Sequence, residues 1–355
     1  MLPILSCLAS FALVTLATCA PLSGEQSLGP VPGQTPIYND YRGIVAPFPG
    51  NISGATLPTA VGPPAPEDQL WQNLLAAEWI IFSFYQRATE LFNASSFTAA
   101  GYPNNTYDRI VEIRDNEAGH LNIFYREISN TSIKPGRCEY EYGFETQGVD
   151  FFLAEQTFIE LSSISFLSGL VNQAVEDTSR AALLVVAAVE TRHTAWALTN
   201  VWNTNPFAGP ADTAYPWPNQ ILGLTVQFIQ NGSCPRENPA YPYPSDQKAA
   251  LSFNGTFSTA HPGDKIQFEF PDGEPCFEED REYYAVFIHE LNNITQAFDT
   301  KTGVSEVPAA FDSDKGLIYA VIADKPGAPD LDSMLAGPLT LLQQPALLTT
   351  VIGGT

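Results

Sequence analysis

The stretch IRDNEAGHLNIF, residues 113–124, places His120 three residues after Glu117 in a run with helical apolar spacing. Positions i and i+3 of an α-helix share one face, so this pair can present a carboxylate and an imidazole to one point. The chain has only four histidines, and a second one repeats the spacing. In VETRH, residues 189–193, His193 follows Glu190 by three positions. The repeat predicts that two helices each contribute a Glu-x-x-His motif to a common site.

A di-metal site in a helical bundle needs one further glutamate from each of two other helices. Glu78, in LLAAEWIIF, lies among apolar residues, where an unpaired carboxylate would be costly. A segment with helical apolar spacing at about residues 150–175, the third such segment along the chain, offers Glu155 and Glu160. If the chain turns near Asp177 and the next helix runs back beside this one, each glutamate can be compared in height with Glu190. Along the helix axis Glu160 is then about 6 Å from the height of Glu190, and Glu155 is about 13 Å from it. We therefore predict Glu78 and Glu160 as the remaining ligands.

The predicted ligand set is Glu78, Glu117, His120, Glu160, Glu190 and His193. Carboxylates and imidazoles together suit iron or manganese, and bridging glutamates can hold two such ions close together. The set therefore predicts two iron or manganese ions, and not a structural zinc site, which favours cysteine and four ligands in all. Tyr85 shares a helix face with Glu78 and is a candidate for lining the site, with core packing as the alternative. The alternative is that each Glu–His pair is a hydrogen-bonded core pair without metal.

Four long segments with helical apolar spacing predict a four-helix bundle over residues 66–205. The predicted helices run at about 67–92, 105–128, 150–175 and 177–202. The links are short except for the one between the second and third helices, as in an up-down bundle.

The sequence pattern changes after the bundle. Residues 206–247 are dense in proline and tyrosine and predict an irregular connector on the surface. From residue 248 to 343 the apolar period is two, with turns between short segments, which predicts a small C-terminal β-sandwich. Residues 344–355 are predicted to be a flexible tail. The fold class is therefore multidomain α and β.

The N-terminus and the net charge bear on location and partners. Residues 1–20 are mostly apolar and end in small residues, which predicts a secretory signal peptide, followed by a Pro/Gly-rich leader over 21–65. The apolar run is too short for a stable membrane span, although an uncleaved anchor is the alternative. The net charge of −23 argues against nucleic acid as a partner.

Seven N-x-[ST] sequons also favour a secreted glycoprotein. They begin at Asn51, Asn93, Asn104, Asn130, Asn231, Asn254 and Asn293. Of five cysteines, Cys7 and Cys19 lie in the predicted signal peptide. Cys138, Cys234 and Cys276 remain, which indicates one disulfide and one free or intermolecularly paired thiol, with the pairing left open.

The segments FYQRATELF, NEAGH, FFLAEQTFIELSSISFLSGL and VETRHTAWAL resemble the secreted ferritin-like-domain proteins of fungi. Those proteins are described as stress-response and late-sexual-development proteins and are similar to plant desiccation-related proteins. The resemblance covers residues 67–205 well and the β region more loosely. It implies a ferritin-like bundle, a di-metal carboxylate site and a secreted, extracellular or cell-wall location.

The resemblance leaves the activity open, because ferritin-like proteins include oxidases, storage proteins and members without known chemistry. One hypothesis is oxidase-type chemistry at the metal pair, linked to stress response or development. The alternative is a non-enzymatic stress or cell-wall glycoprotein that uses the bundle as a scaffold for extracellular partners. Iron storage in a shell is a third idea, which the leader, connector and β region would obstruct. The oligomeric state is left open.

Overall fold

The computed structural model describes residues 54–207, 213–254, 261–311 and 317–342. The predicted signal peptide, residues 21–53 of the leader with Asn51, and the predicted tail lie outside the described residues. Within these residues, long helices form a bundle in the first part of the chain and antiparallel strands form two sheets in the last part. The predicted succession of a helical bundle and a β region is confirmed.

Four long helices build the bundle. They are α1 (Asp68–Leu91), α3 (Thr106–Glu127), α5 (Val149–Leu170) and α6 (Asp177–Trp196). Short helices α2 (Ala94–Ala99) and α4 (Phe144–Gln147) lie in the links, and a π-helical turn (Ala197–Val201) extends α6. Three of the four long helices begin and end within a few residues of the prediction, apart from that extension. The exception is α5, which ends five residues before its predicted end.

Two acidic residues at the start of α1 connect it to the other helices. Glu67 accepts hydrogen bonds from the backbone N–H groups of Val175 and Glu176, at 2.6 and 2.9 Å, just before α6 begins. Asp68 accepts bonds of 2.7 Å and 2.5 Å from the N–H and hydroxyl of Ser129, just after α3 ends. These bonds satisfy backbone N–H groups beside the ends of α3 and α6 that would otherwise be unpaired. They also fix the heights of α1, α3 and α6 relative to one another.

The connector contains a helix, so the prediction of an irregular segment was wrong for residues 218–228. There α7 (Pro218–Leu224) runs into a 3₁₀ turn (Thr225–Phe228). Pro218 stands at the first helical position, where its missing N–H costs nothing. Ile221 and Leu222 are buried in the bundle core. The many prolines on both sides of this helix obscure its short apolar pattern in the sequence.

Close packing of the connector on α5 depends on a glycine. The Tyr215 N–H donates to the Ser165 carbonyl at 3.1 Å. A Cβ on Gly169 would lie only 2.0 Å from the Tyr215 carbonyl oxygen. Position 169 therefore admits no larger residue without moving the connector away from the bundle.

The β region consists of two antiparallel sheets. The first has the order β1-β2-β5, with β1 (Ser252–Phe253), β2 (Lys265–Glu269) and β5 (Val304–Glu306). The second has the order β4-β3-β6-β7, with β3 (Tyr283–His289), β4 (Asn292–Phe298), β6 (Leu317–Ala323) and β7 (Met334–Leu342). Residues of both sheets share one apolar core, as expected for a sandwich. The three-residue strand β5 is too short to show a period in the sequence.

Strand β6 explains how the sandwich joins the bundle. All seven of its residues are buried. Leu317 and Tyr319 face the bundle core, whereas Ile318, Ala320 and Ile322 face the core between the sheets. This alternation follows from the two-residue period of a strand. The four-stranded sheet is therefore covered on both faces, and the bundle and the sandwich are packed together.

One disulfide links Cys138, in the α3–α5 link, to Cys234, in the connector. Cys276 is free and exposed, so one disulfide and one free thiol are present as expected. None of the helices in the described part of the chain is both long and apolar enough to cross a membrane.

Candidate metal centre

The six residues predicted as metal ligands meet in the core of the bundle. All four long helices contribute: α1 supplies Glu78, α3 supplies Glu117 and His120, α5 supplies Glu160, and α6 supplies Glu190 and His193. None of the six is more than 7% exposed, and Glu117 and Glu160 are fully buried. Four carboxylates buried this deeply require cations or protons beside them.

The first group of ligands surrounds His120. Its Nδ1 atom lies 2.9 Å from Oε2 of Glu117 and 3.2 Å from Oε1 of Glu190. Oε1 of Glu78 is 3.7 Å from the same nitrogen. Ligand atoms of Glu78, Glu117 and His120 lie within 4.8 Å of one another, close enough to hold one metal ion.

The second group surrounds His193 in the same way. Its Nδ1 atom lies 3.2 Å from Oε1 of Glu117 and 3.3 Å from Oε2 of Glu160. Oε2 of Glu190 is 3.4 Å away. Ligand atoms of Glu117, Glu160, Glu190 and His193 also lie within 4.8 Å of one another.

Glu117 and Glu190 each contact both histidines, with a different oxygen toward each. Each comes from a Glu-x-x-His motif, so it reaches the histidine of its own helix and that of the opposite helix. Glu78 and Glu160 contact only one of the two histidines, His120 and His193 respectively. The two groups are therefore related by an approximate two-fold arrangement, with two shared and two terminal carboxylates.

Burial and mutual repulsion shift the pKa values of the glutamates in the cluster. Burial and the nearby Glu117 raise the pKa of Glu78 well above its usual value, and burial also raises the pKa of Glu160. Burial disfavours the charged form of Glu190 too, but hydrogen bonds from the two histidines outweigh it and hold its pKa well below normal. Without a metal, the carboxylates therefore share protons with each other and with the imidazoles.

The oxygen atoms of the cluster fit a pair of divalent cations. Oε1 of Glu78 and Oε1 of Glu117 are buried and accept no well-aligned hydrogen bond from the described residues, although imidazole nitrogens lie 3.7 and 3.2 Å away. Leaving a buried acceptor unpaired is costly, and more so for a charged one. Four ionised glutamates carry four negative charges, which two divalent ions would balance. The mixed carboxylate and imidazole set is one that iron and manganese accept.

Two further side chains contact the ligands. Tyr85, the candidate for lining the site, is fully buried and donates a hydrogen bond from its hydroxyl to Oε1 of Glu160. Asn116, which the sequence analysis did not single out, has its Oδ1 atom 3.1 Å from Nε2 of His193. With Nε2–H donating to Asn116, a bound metal ion would replace the Nδ1 proton of His193 and use that lone pair.

A mostly apolar cavity of about 90 Å³ adjoins the centre. The ligands that line it are Glu78 and Glu190. Apolar side chains of α1, α3, α5 and α6 form much of its wall, among them Leu74, Phe124, Phe166, Leu167 and Val186. The connector helix α7 and its 3₁₀ turn supply the rest of the wall. The cavity therefore lies beside the Glu78–His120 group and not beside Tyr85.

The other candidate residues lie elsewhere. Glu155 is not in the cluster; burial, with added repulsion from the charge of Glu145, raises its pKa to about 8. His289 is buried in the β region with Nδ1 2.9 Å from the Leu317 carbonyl, and His261 is exposed. The six sequon asparagines within the described residues are all exposed.

Comparison with known proteins agrees with this arrangement. Residues 68–201 match the family model described as a ferritin-like domain. The matched segment runs from the start of α1 to the end of the π-helical turn and contains all six clustered residues. A search of curated proteins finds no match to the chain. Residues 68–201 thus match a ferritin-like domain and contain a buried Glu/His cluster that could hold metal ions.

Proposed function

We propose that the ferritin-like domain of this protein binds two iron or manganese ions and uses them in oxidase-type chemistry. Glu78 and His120 would be the terminal ligands of one ion, and Glu160 and His193 those of the other. The observation that supports this most strongly is the sharing of Glu117 and Glu190 between the two groups. Shared carboxylates are what a closely spaced metal pair needs.

When bound, such ions would supply redox chemistry toward dioxygen or peroxide. The residues of the chain would prepare the site for it. Helix packing around the cluster excludes bulk water, so charges there are screened weakly. Asn116 would hold the His193 ring in the ligand orientation, and Tyr85 would fix the carboxylate of Glu160. The Tyr85 hydroxyl also keeps a proton beside the site, because burial and the Glu160 charge raise its pKa well above the usual value.

Metal analysis of the purified protein tests the proposal. We expect about two iron or manganese ions per chain, as the ligand set dictates. The double variant Glu117→Ala/His120→Ala should retain almost none, because it removes a shared and a terminal ligand. Glu112→Ala/Glu127→Ala, two exposed glutamates on the same helix, is the matched control and should retain both ions. Wild-type protein that stays metal-free after loading, with unchanged stability under a chelator, would contradict the proposal.

The location is also part of the proposal. We propose a secreted, extracellular or cell-wall glycoprotein linked to stress response or development, as the resemblance implies. The Cys138–Cys234 disulfide supports an oxidising compartment. The exposure of Asn93, Asn130 and Asn231 leaves room for glycans on the bundle and connector. Deglycosylation of the purified protein should increase its gel mobility, and a protein recovered unglycosylated inside cells would contradict this part.

A second candidate is a non-enzymatic glycoprotein whose bundle is a scaffold and whose sandwich and glycans contact extracellular partners. The exposed sequon residues Asn254 and Asn293 in the β region favour it. The metal-site double variant separates the two candidates. If this variant folds and fully replaces the natural protein in a deletion strain, the scaffold function is supported. If it folds and fails, the metal site is required.

A further inference from the structure

The cavity beside the metal centre has the wall chemistry of a site for uncharged molecules. Leu74, Phe166 and Leu167 line it with apolar surface, together with Ile221 and Leu222 of the connector helix. Ions and strongly hydrated molecules lose hydrogen bonds when they enter such a space, whereas apolar molecules lose none. Apolar cavities in proteins stay dry and take up small apolar guests.

The volume of the cavity limits the size of its guest. At about 90 Å³ it is smaller than a cavity of about 150 Å³ that binds benzene or xenon. It therefore accepts a molecule of a few non-hydrogen atoms, such as a dissolved diatomic gas. A larger organic substrate would not fit without displacement of Phe166 or the connector helix.

The position of the cavity selects one half of the metal centre. Of its two carboxylate neighbours, Glu78 contacts His120 and not His193, whereas Glu190 is shared by both histidines. The opposite half has its terminal ligand Glu160 bonded to Tyr85, and neither of these residues lines the cavity. A guest in the cavity therefore meets the Glu78–His120 half.

We propose that this cavity is the binding site through which dioxygen, or an uncharged apolar molecule of its size, reaches the Glu78–His120 half of the metal centre. The inference rests on the proposed function. It also gives the connector a role, since α7 completes the wall of a cavity that the four long helices alone would leave open.

Xenon is a suitable probe, because it is apolar, small and binds without a metal. Crystals of the full chain under xenon pressure should show xenon in the cavity, both in metal-free and in metal-loaded protein. Ala77→Leu, which adds three carbon atoms at the wall, should reduce xenon occupancy at least tenfold. Ser163→Leu, on the α5 side of the wall, also fills the cavity and is the replacement test if Ala77→Leu does not fold. Leu222→Ala should raise occupancy, whereas Val226→Ala, on the same segment but outside the wall, should leave it unchanged.

The second measurement is the rate at which reduced, metal-loaded protein reacts with dioxygen. The filled variant should react at least several-fold more slowly while its metal content stays the same as in the wild type. Absence of xenon from the cavity of the folded wild type, or an unchanged reaction rate in a filled variant, would overturn the inference. A protein that binds xenon here but no metal would instead refute the proposed function, so the two failures are distinct.

Discussion

The hydroxyl of Tyr85 on α1 donates a hydrogen bond to Oε1 of Glu160 on α5. Both side chains are fully buried. The bond joins the helix pair α1–α3 to the pair α5–α6 within the core of the bundle. It engages one oxygen of Glu160 and leaves the other, Oε2, 3.3 Å from Nδ1 of His193. Tyr85 thus determines which oxygen of Glu160 can bind a metal.

Tyr85→Phe should weaken metal binding without abolishing it. The ring packing on Phe152 would remain, but Oε1 of Glu160 would lose its donor, at a cost of about 1–2 kcal/mol in the free energy of unfolding of the metal-free protein. Loss of a ligand's hydrogen-bonding partner commonly lowers metal affinity about 10–100-fold. Denaturant titration and metal competition measure the two effects.

Tyr142→Phe is the matched control for that substitution. Tyr142 is also buried and donates a hydrogen bond of 2.7 Å to the carbonyl of Ile80 on α1, but it contacts no ligand. We expect a similar loss of stability and no change in metal affinity. Equal affinities for the wild type and the Tyr85 variant would show that Tyr85 serves packing alone.

Shared and terminal glutamates should differ in their effect on metal content. Glu78→Ala removes a terminal ligand of one ion, so about one ion per chain should remain, held around His193. Glu117→Ala removes a carboxylate that contacts both histidines, so both ions should be lost or bound weakly. Elemental analysis after loading and dialysis gives the counts. Loss of one ion in each variant would mean that Glu117 is not a bridging ligand.

Asn116→Ala should impair one half of the centre only. Without Asn116 the His193 ring loses its orienting partner at Nε2, and metal affinity in that half should fall about 10–100-fold. Competition with a chelator should therefore resolve one weakened and one normal ion. Asn105→Ala at the start of the same helix is the control, because the Asn105 side chain makes no capping bond there. Equal weakening of both ions would rule out a local role.

The residues of the buried cluster could be predicted because their signal is local. A Glu-x-x-His spacing directs two side chains to one face wherever the segment is helical, and Glu78 stands out as a charge within an apolar run. The choice of Glu160 over Glu155 needed only the rise of a helix and the position of a turn near Asp177. These arguments hold because long helices vary little in geometry.

Features that depend on distant parts of the chain could not be predicted in this way. Asn116 is an exposed residue of α3, and its importance comes only from contact with His193 on another helix. The cavity depends on where α7 packs, and the pairing of Cys138 with Cys234 depends on the path of the connector. No periodicity in the sequence encodes these distances.

The pKa of Glu155 predicts a fall in stability as pH rises. Burial and repulsion from Glu145 raise this pKa to about 8, from 4.5 in the absence of such effects. Between these two pH values the folded protein holds a proton that the unfolded chain has released, so stability decreases as pH increases through this range. Glu155→Gln cannot ionise and should not share this loss. At pH 8.5 it should be more stable than the wild type by on the order of 2–4 kcal/mol, with little difference at pH 4.5.

Denaturant titration at several pH values measures that difference. Glu145→Gln is an informative second variant, because it removes the repelling charge and lowers the pKa of Glu155 in the fold, so the loss of stability should be smaller and should end at a lower pH. Parallel curves for the wild type and Glu155→Gln at all pH values would show that Glu155 ionises normally in the fold.

The disulfide should stabilise the connector against the bundle. Cys138 and Cys234 are 96 residues apart in sequence, and their bond flanks two backbone hydrogen bonds of 2.9 Å, from Glu141 to Phe228 and from Gln230 to Glu139. Cys138→Ser/Cys234→Ser should lower the free energy of unfolding by about 2–4 kcal/mol, through the greater freedom of the unfolded chain. It should also speed amide hydrogen exchange at Gln230 and Glu141, because this pairing opens more readily. Cys276→Ser, at the exposed free thiol, is the control and should change neither quantity. Unchanged exchange in the double variant would mean that the connector is held by the packing of α7 alone.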